Sequence, residues 1–110
     1  MSSENNLELF KLKAELCKTF ADPRRLMIIN ALRDGELSVG ELVNRLDCPQ
    51  AVVSRHLGVL RHRGIVTSRR EGVNVYYQLT DPTIIEACDI VHEVLMQQVA
   101  RNRELAEKLL

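Results

Sequence analysis

Three prolines punctuate the chain, at Asp22-Pro23, Cys48-Pro49 and Asp81-Pro82, each directly before a helical run. Proline lacks an N–H that the first turn of a helix leaves unpaired anyway, and the residue before it then reads as the N-cap. These steps predict helices starting at 23, 49 and 82. A fourth follows Ser38, because Ser38-Val39-Gly40-Glu41 has the spacing of a capping box. Gly35 and Gly64 fall where C-terminal caps are expected. Apolar periodicity then gives helices over about 7–20, 23–33, 39–46, 49–63 and 82–108. Two β-rich runs, about 65–70 and 73–79, flank Glu71-Gly72 and read as a hairpin. No repeat or linker interrupts the 110 residues, so one mainly α domain with a small β-hairpin is expected.

The first and last helices carry more apolar surface than a small domain needs for docking them. Leu7, Phe10, Ala14 and Cys17 form one stripe of the first helix, and Leu9, Leu12, Leu16 and Phe20 a second. Ile84, Cys88, Val91, Leu95 and Val99 form one side of the last helix, with Ala87, Ile90 and Val94 beside it. Aromatic residues are few, two Phe, two Tyr and no Trp, so a core must be found in Leu, Ile and Val. A second copy of the chain would supply the missing core, and a homodimer is expected.

No apolar run approaches the roughly 20 residues of a membrane span, and MSSENNLELF lacks the basic start of a secretory signal. The expected location is the cytoplasm, with no membrane partner. Three cysteines without a CxxC pair suit reduced thiols there.

Charge is balanced, 15 basic against 15 acidic residues, yet from 48 to 70 there are five arginines and no acid. On a helix over 49–63, Val53, Leu57 and Leu60 share a narrow arc that must face the core. The other side shows Ala51, Ser54, Arg55, Gly58, Arg61 and His62. Small residues let a helix approach a surface closely, while Ser and Arg bond base edges and phosphates; the major groove admits one such helix. A short helix precedes it across the tight turn Leu46-Asp47-Cys48, which is helix–turn–helix spacing. Arg69 and Arg70 lie close to the hairpin turn, where they could reach phosphates. The candidate contacts to a double-stranded DNA operator are Ser38, Gln50, Ala51, Ser54, Arg55, His56, Arg61, Arg69 and Arg70, His56 being equally a packed group. A winged helix used only for protein contacts is the alternative, but its exposed face should be apolar or acidic. An enzyme is not expected: His92-Glu93 begins an HExxH pattern whose second His is Met96, and no phosphate-binding glycine loop is present.

From about Thr19 to Asp81 the chain resembles the winged helix–turn–helix repressors of the ArsR/SmtB family, through FADPRRLMIINAL, ELSVGELVNRLDCPQAVVSRHLGVLRHRGIV and REGVNVYYQL. The resemblance implies a homodimer formed by the first and last helices. It also implies a repressor that leaves its operator on sensing a metal ion, a metalloid or a redox species.

The family's familiar sensor sites are missing. Where members that bind soft ions carry ELCVCDL, this chain has ELSVGEL, with Ser38 and Gly40 in place of both cysteines. Of the pattern used by zinc-type members on the last helix, Asp81 remains, but the other positions hold Thr83, Val94 and Gln97. In the hairpin, Val73 and Asn74 follow Gly72 where a base is frequent. Sensing would then fall to Cys17, Cys48, Cys88 and His92, through a soft metal or metalloid ion or through thiol redox chemistry with no cofactor. Cys88 and His92, four apart, could share a metal with a partner subunit; Cys88 and Cys17 equally read as apolar filling. Cys48 takes an N-cap slot, where the helix end and nearby Arg55 favour a thiolate, or it is simply a poor cap.

Overall fold

The computed structural model describes residues 6–102 and 107–109. Its elements are α1 (Leu7–Phe20), α2 (Pro23–Ala31), β1 (Leu37–Ser38), α3 (Val39–Leu46), α4 (Gln50–His62), β2 (Val66–Glu71), β3 (Asn74–Leu79) and α5 (Thr83–Arg101). α3 and α4 form the helix–turn–helix, and the β2–β3 hairpin is the wing beside it. The fold is mainly α with a small sheet, a winged helix–turn–helix.

Local chemistry explains most boundaries. Asn6 caps α1 by accepting from the Leu9 N–H, and Asp22 caps α2 by accepting from Arg24 and Arg25. Pro23 is the first residue of α2, as the sequence predicts. At α3 the capping box is complete: Ser38 Oγ accepts from the Glu41 N–H and the Glu41 carboxylate accepts from the Ser38 N–H, each at 3.1 Å. Gly64, at φ 76°, ends α4 in a Schellman turn, with Ile65 N–H donating to Leu60 O and Gly64 N–H to Arg61 O.

The second proline step differs from its expected form. Pro49 itself is the N-cap of α4, with extended backbone and no side-chain cap, so Cys48 lies one residue outside the helix. At the third step the helix begins at Thr83 and Pro82 is the N-cap residue, so Asp81 stands one position outside the expected slot, where it accepts from the Thr83 N–H and hydroxyl. α2 stops at Ala31 and not at 33, and α5 at Arg101. The expected continuation of the last helix to 108 crosses 103–106, which lie outside the described residues.

The sheet has the order β1-β3-β2, antiparallel throughout. Leu37 and Ser68 flank Tyr77 on its two sides, and Glu71 faces Asn74 at the hairpin end. β1, two residues long, is too short to leave a periodic signal in the sequence. Between α3 and α4, Asp47 takes a left-handed conformation at φ 48°. Asp tolerates this better than most residues because its short polar side chain can bond locally.

The core gathers Ile28, Ile29 and Leu32 of the α2 segment, Leu42 of α3 and Val53, Leu57 and Leu60 of α4, closed by Ile65 and Val66. Val53, Leu57 and Leu60 are at most 1% exposed, which fixes the rotation of α4. By contrast Leu7, Phe10, Leu12 and Leu16 of α1 and Ile90, Val91, Val94 and Leu95 of α5 remain exposed. Both terminal helices carry surplus apolar surface that the rest of this chain does not cover.

Candidate nucleic-acid interface

Rotation of α4 about its buried stripe sends Gln50, Ala51, Ser54, Arg55, Gly58, Arg61 and His62 to the exposed side. Among the described residues neither Arg55 nor Arg61 has an acidic partner, and Arg70 on the wing has none either. Gly58 adds an independent clue. A Cβ built there meets nothing within 4 Å, so packing within the protomer does not require glycine. A mid-helix glycine costs about 0.5–1 kcal/mol relative to alanine. Nothing inside the chain accounts for a glycine on this face.

Other candidates sit differently. Ser38 is half-buried and committed to the capping box of α3, leaving only its O–H free to donate. Arg69 is held by carboxylates of Glu36 and Glu71 and lies over the Tyr76 ring. Its charge is satisfied inside the protomer, unlike that of Arg70. His56 is 5% exposed, so its imidazole cannot reach a phosphate, and the expectation of a DNA contact there is corrected. Burial pushes its pKa below the usual value; Asp22 opposes this, and Arg55, Arg25 and Arg24 reinforce it.

The cysteines separate into two places. Cys48 is 4% exposed, packed in the core with the Arg24 guanidinium against its sulfur. The expected N-cap thiol at the DNA surface is therefore overturned: Pro49 takes the cap and the turn folds Cys48 inward. Cys17 and Cys88 both line a groove of about 860 Å³ between α1, α2 and α5, together with His92. Burial pushes the Cys88 thiol up, Asp89 adds to this and Arg33 works against it. At the groove rim Arg33, in the turn that follows α2, holds Asp89 of α5 with two hydrogen bonds. Among the described residues no cluster of three or more His, Cys, Asp or Glu is placed to hold a metal ion. No described helix is long and apolar enough to cross a membrane.

Sequence reasoning missed Arg24, Arg25, Arg33 and Glu36. Only the Arg pair had a local signal, two donors following the cap at Asp22. The partners of Arg33 and Arg69 lie 56 and 33 residues away and leave no mark on the local pattern.

Known proteins agree with this geometry. The transcriptional activator HlyU of Vibrio cholerae is 40% identical over 82 residues, 74% of this chain and 76% of that protein. The crystal structure of the transcriptional repressor BigR from Xylella fastidiosa superposes with a TM-score of 0.74 at 35% identity, covering 86% of this chain and 96% of that one. The homodimeric winged helix–turn–helix DNA-binding domain of Mb0332 from Mycobacterium bovis superposes at 0.76 with 26% identity, covering 92% and 94%. Residues 22–68 match the model of the bacterial regulatory protein arsR family. With both helices of the helix–turn–helix and the turn between them inside the matched residues, and with a relative 40% identical over three quarters of each chain, the chain belongs to the ArsR family of bacterial regulatory proteins.

Proposed function

We propose that this protein is a sequence-specific DNA-binding repressor that acts as a homodimer in the cytoplasm. α4 enters the major groove, with Gln50, Ala51, Ser54, Arg55 and Arg61 towards the bases and phosphates, and Arg70 of the wing meets the adjacent backbone. The observation that carries this reading is the face of α4: basic, small and without acidic partners, on a helix whose opposite face is locked in the core. The same face argues against a protein-contact module, which would present apolar or acidic side chains. Pairing of two copies through α1 and α5 would cover the exposed Leu12, Ile90 and Val91, which are 61–70% exposed in the single chain.

The signal enters, in this reading, at the groove lined by Cys17, Cys88 and His92. There an oxidant or a soft ion bridging two subunits would alter how α1 and α5 pack, and with them the spacing of the two reading helices. A signal shifts the equilibrium only as far as it binds the two dimer geometries unequally. Fluorescence anisotropy with a duplex from immediately upstream of the gene, against a random duplex, tests the central reading. Preference for the upstream duplex, abolished in Arg55→Ala, is expected; equal binding of both duplexes would refute it.

A further inference from the structure

Arg25 lies where three elements meet. Its Nε donates to Thr19 O at 2.7 Å and its Nη2 to Lys18 O at 3.1 Å, both carbonyls of the last turn of α1. Its Nη1 stands 3.4 Å from Nδ1 of His56 in α4. On the other side of the ring, Nε2 is 3.9 Å from Asp22 Oδ1, the carboxylate that caps α2. Thr19 is 3% exposed and His56 5%, so solvent has little access to the contacts Arg25 makes with these two residues. One guanidinium thus ties the end of α1 to the reading helix, at the residue next to Arg55.

The chemistry of this contact fixes a protonation state. A guanidinium only donates hydrogen bonds, so Nδ1 must accept and the ring proton must sit on Nε2, towards Asp22. A second proton would place an N–H on Nδ1 against the N–H of Arg25, two donors facing one another. The charged groups around the ring are Asp22, Arg24 and Arg25 from the start of α2 and Arg55 from α4 itself, three cations against one carboxylate. From α1 only backbone carbonyls take part. An imidazolium here is opposed both by geometry and by charge.

We propose that His56 is a positioning residue: in its neutral form it seats the reading helix on the end of α1 through Arg25, and its protonation unseats that helix and weakens specific DNA binding. The proposal rests on the DNA-binding reading above. Its sign is the reverse of the ordinary one, since adding positive charge to a DNA-binding surface normally tightens phosphate binding. Burial lowers the folded pKa below the ordinary 6.5. The unfolded chain therefore takes up the proton first, and the stability held above pH 6.5 declines as the pH falls below it.

The test uses the full-length protein with its upstream duplex and a random duplex between pH 7.5 and 5.5. Wild type should lose at least fivefold in affinity for the upstream duplex on acidification, without a matching loss on the random one. His56→Asn keeps an acceptor near the place of Nδ1 and cannot titrate; it should bind as wild type at pH 7.5 and keep that affinity at pH 5.5. His56→Phe fills the space without an acceptor and should bind weakly at both pH values. An acid-induced loss in His56→Asn equal to wild type, or wild-type affinity in His56→Phe at pH 7.5, overturns the proposal. Long-range proton–nitrogen spectra of the DNA-free protein give a readout independent of DNA: the Nε2–H tautomer of His56 is expected at pH 7.5, and an Nδ1–H or charged ring refutes the assignment. Equal binding of both duplexes by wild type at pH 7.5 would instead count against the DNA-binding reading, with the tautomer still deciding the geometry.

Discussion

Arg69 holds Glu36 with both sides of its fork: Nε donates at 2.8 Å to one carboxylate oxygen and Nη2 donates to the other. Its third nitrogen, Nη1, donates to Glu71 at 2.6 Å, and its guanidinium carbon lies 4.6 Å over the Tyr76 ring. The outer half of the wing is thereby fastened to the segment before β1. These hydrogen bonds keep Glu36 below the usual carboxylate range and Arg69 above its own.

Two neighbouring arginines should therefore behave differently in DNA binding. Arg70→Ala is expected to reduce the slope of log affinity against log salt by about 1, as befits a phosphate contact. Arg69→Ala should leave that slope nearly unchanged and instead speed amide hydrogen exchange along β2 and β3. Equal slopes for the two variants would show that Arg69 leaves its carboxylates on binding.

Arg55→Ala should cost about 1–3 kcal/mol of binding to the specific site, with much less change on random DNA. Titrations on both duplexes at one fixed salt concentration would measure the difference. An unaltered preference would move the base-reading face away from Arg55.

Gly58→Ala separates folding from binding. Removing a mid-helix glycine with open space around it should stabilise the protein by about 0.5–1 kcal/mol, read from urea unfolding. Affinity for the specific duplex should fall at the same time, because the methyl group stands between the helix backbone and the groove. A variant that is more stable and binds equally well would show that no surface approaches Gly58.

Assembly is read by sedimentation at micromolar concentration, where wild type should be a dimer. Ile90, 61% exposed on α5, tests the interface. Ile90→Glu would bury a carboxylate in an apolar contact and should yield monomer with reduced DNA affinity. A variant that remains fully dimeric would remove α5 at this position from the interface.

The two classes of cysteine should differ in alkylation and in signalling. Cys48 should resist alkylation until the protein unfolds, and Cys48→Ser should still release DNA in response to the oxidant that releases wild type. Cys17→Ser or Cys88→Ser should blunt that release. Retained release in the double variant of these two would exclude the groove thiols as the entry point.

What the sequence reveals and what it conceals follow from how far each determinant reaches. Helix starts at Asp22 and Ser38 and the stop at Gly64 depend on groups within five residues of one another, and they are readable from the chain. So is the rotation of α4, since Val53, Leu57 and Leu60 repeat with the helical period. Cys48 misled because the step Cys48-Pro49 matches Asp22-Pro23 in order but not in backbone conformation: Pro49 is extended and caps the helix itself. The burial of His56 depends on Asp22 and Arg25, more than 30 residues earlier, and no local pattern records that distance. The groove is a property of α1, α2 and α5 together, so the shared setting of Cys17 and Cys88 appears only in three dimensions.

The two-residue strand β1 has a mechanical consequence. It leads directly into α3 and pairs with β3, while β3 pairs with β2. The segment that enters α3 and the wing are thus bonded through one continuous ladder, which resists movement of the start of α3 against the hairpin. In the dimeric reading, each subunit would bring these two parts to DNA as a coupled unit. An operator with one base pair inserted between its two arms would be accommodated by α1 and α5 or by bending of the duplex sooner than by parting the start of α3 from the wing.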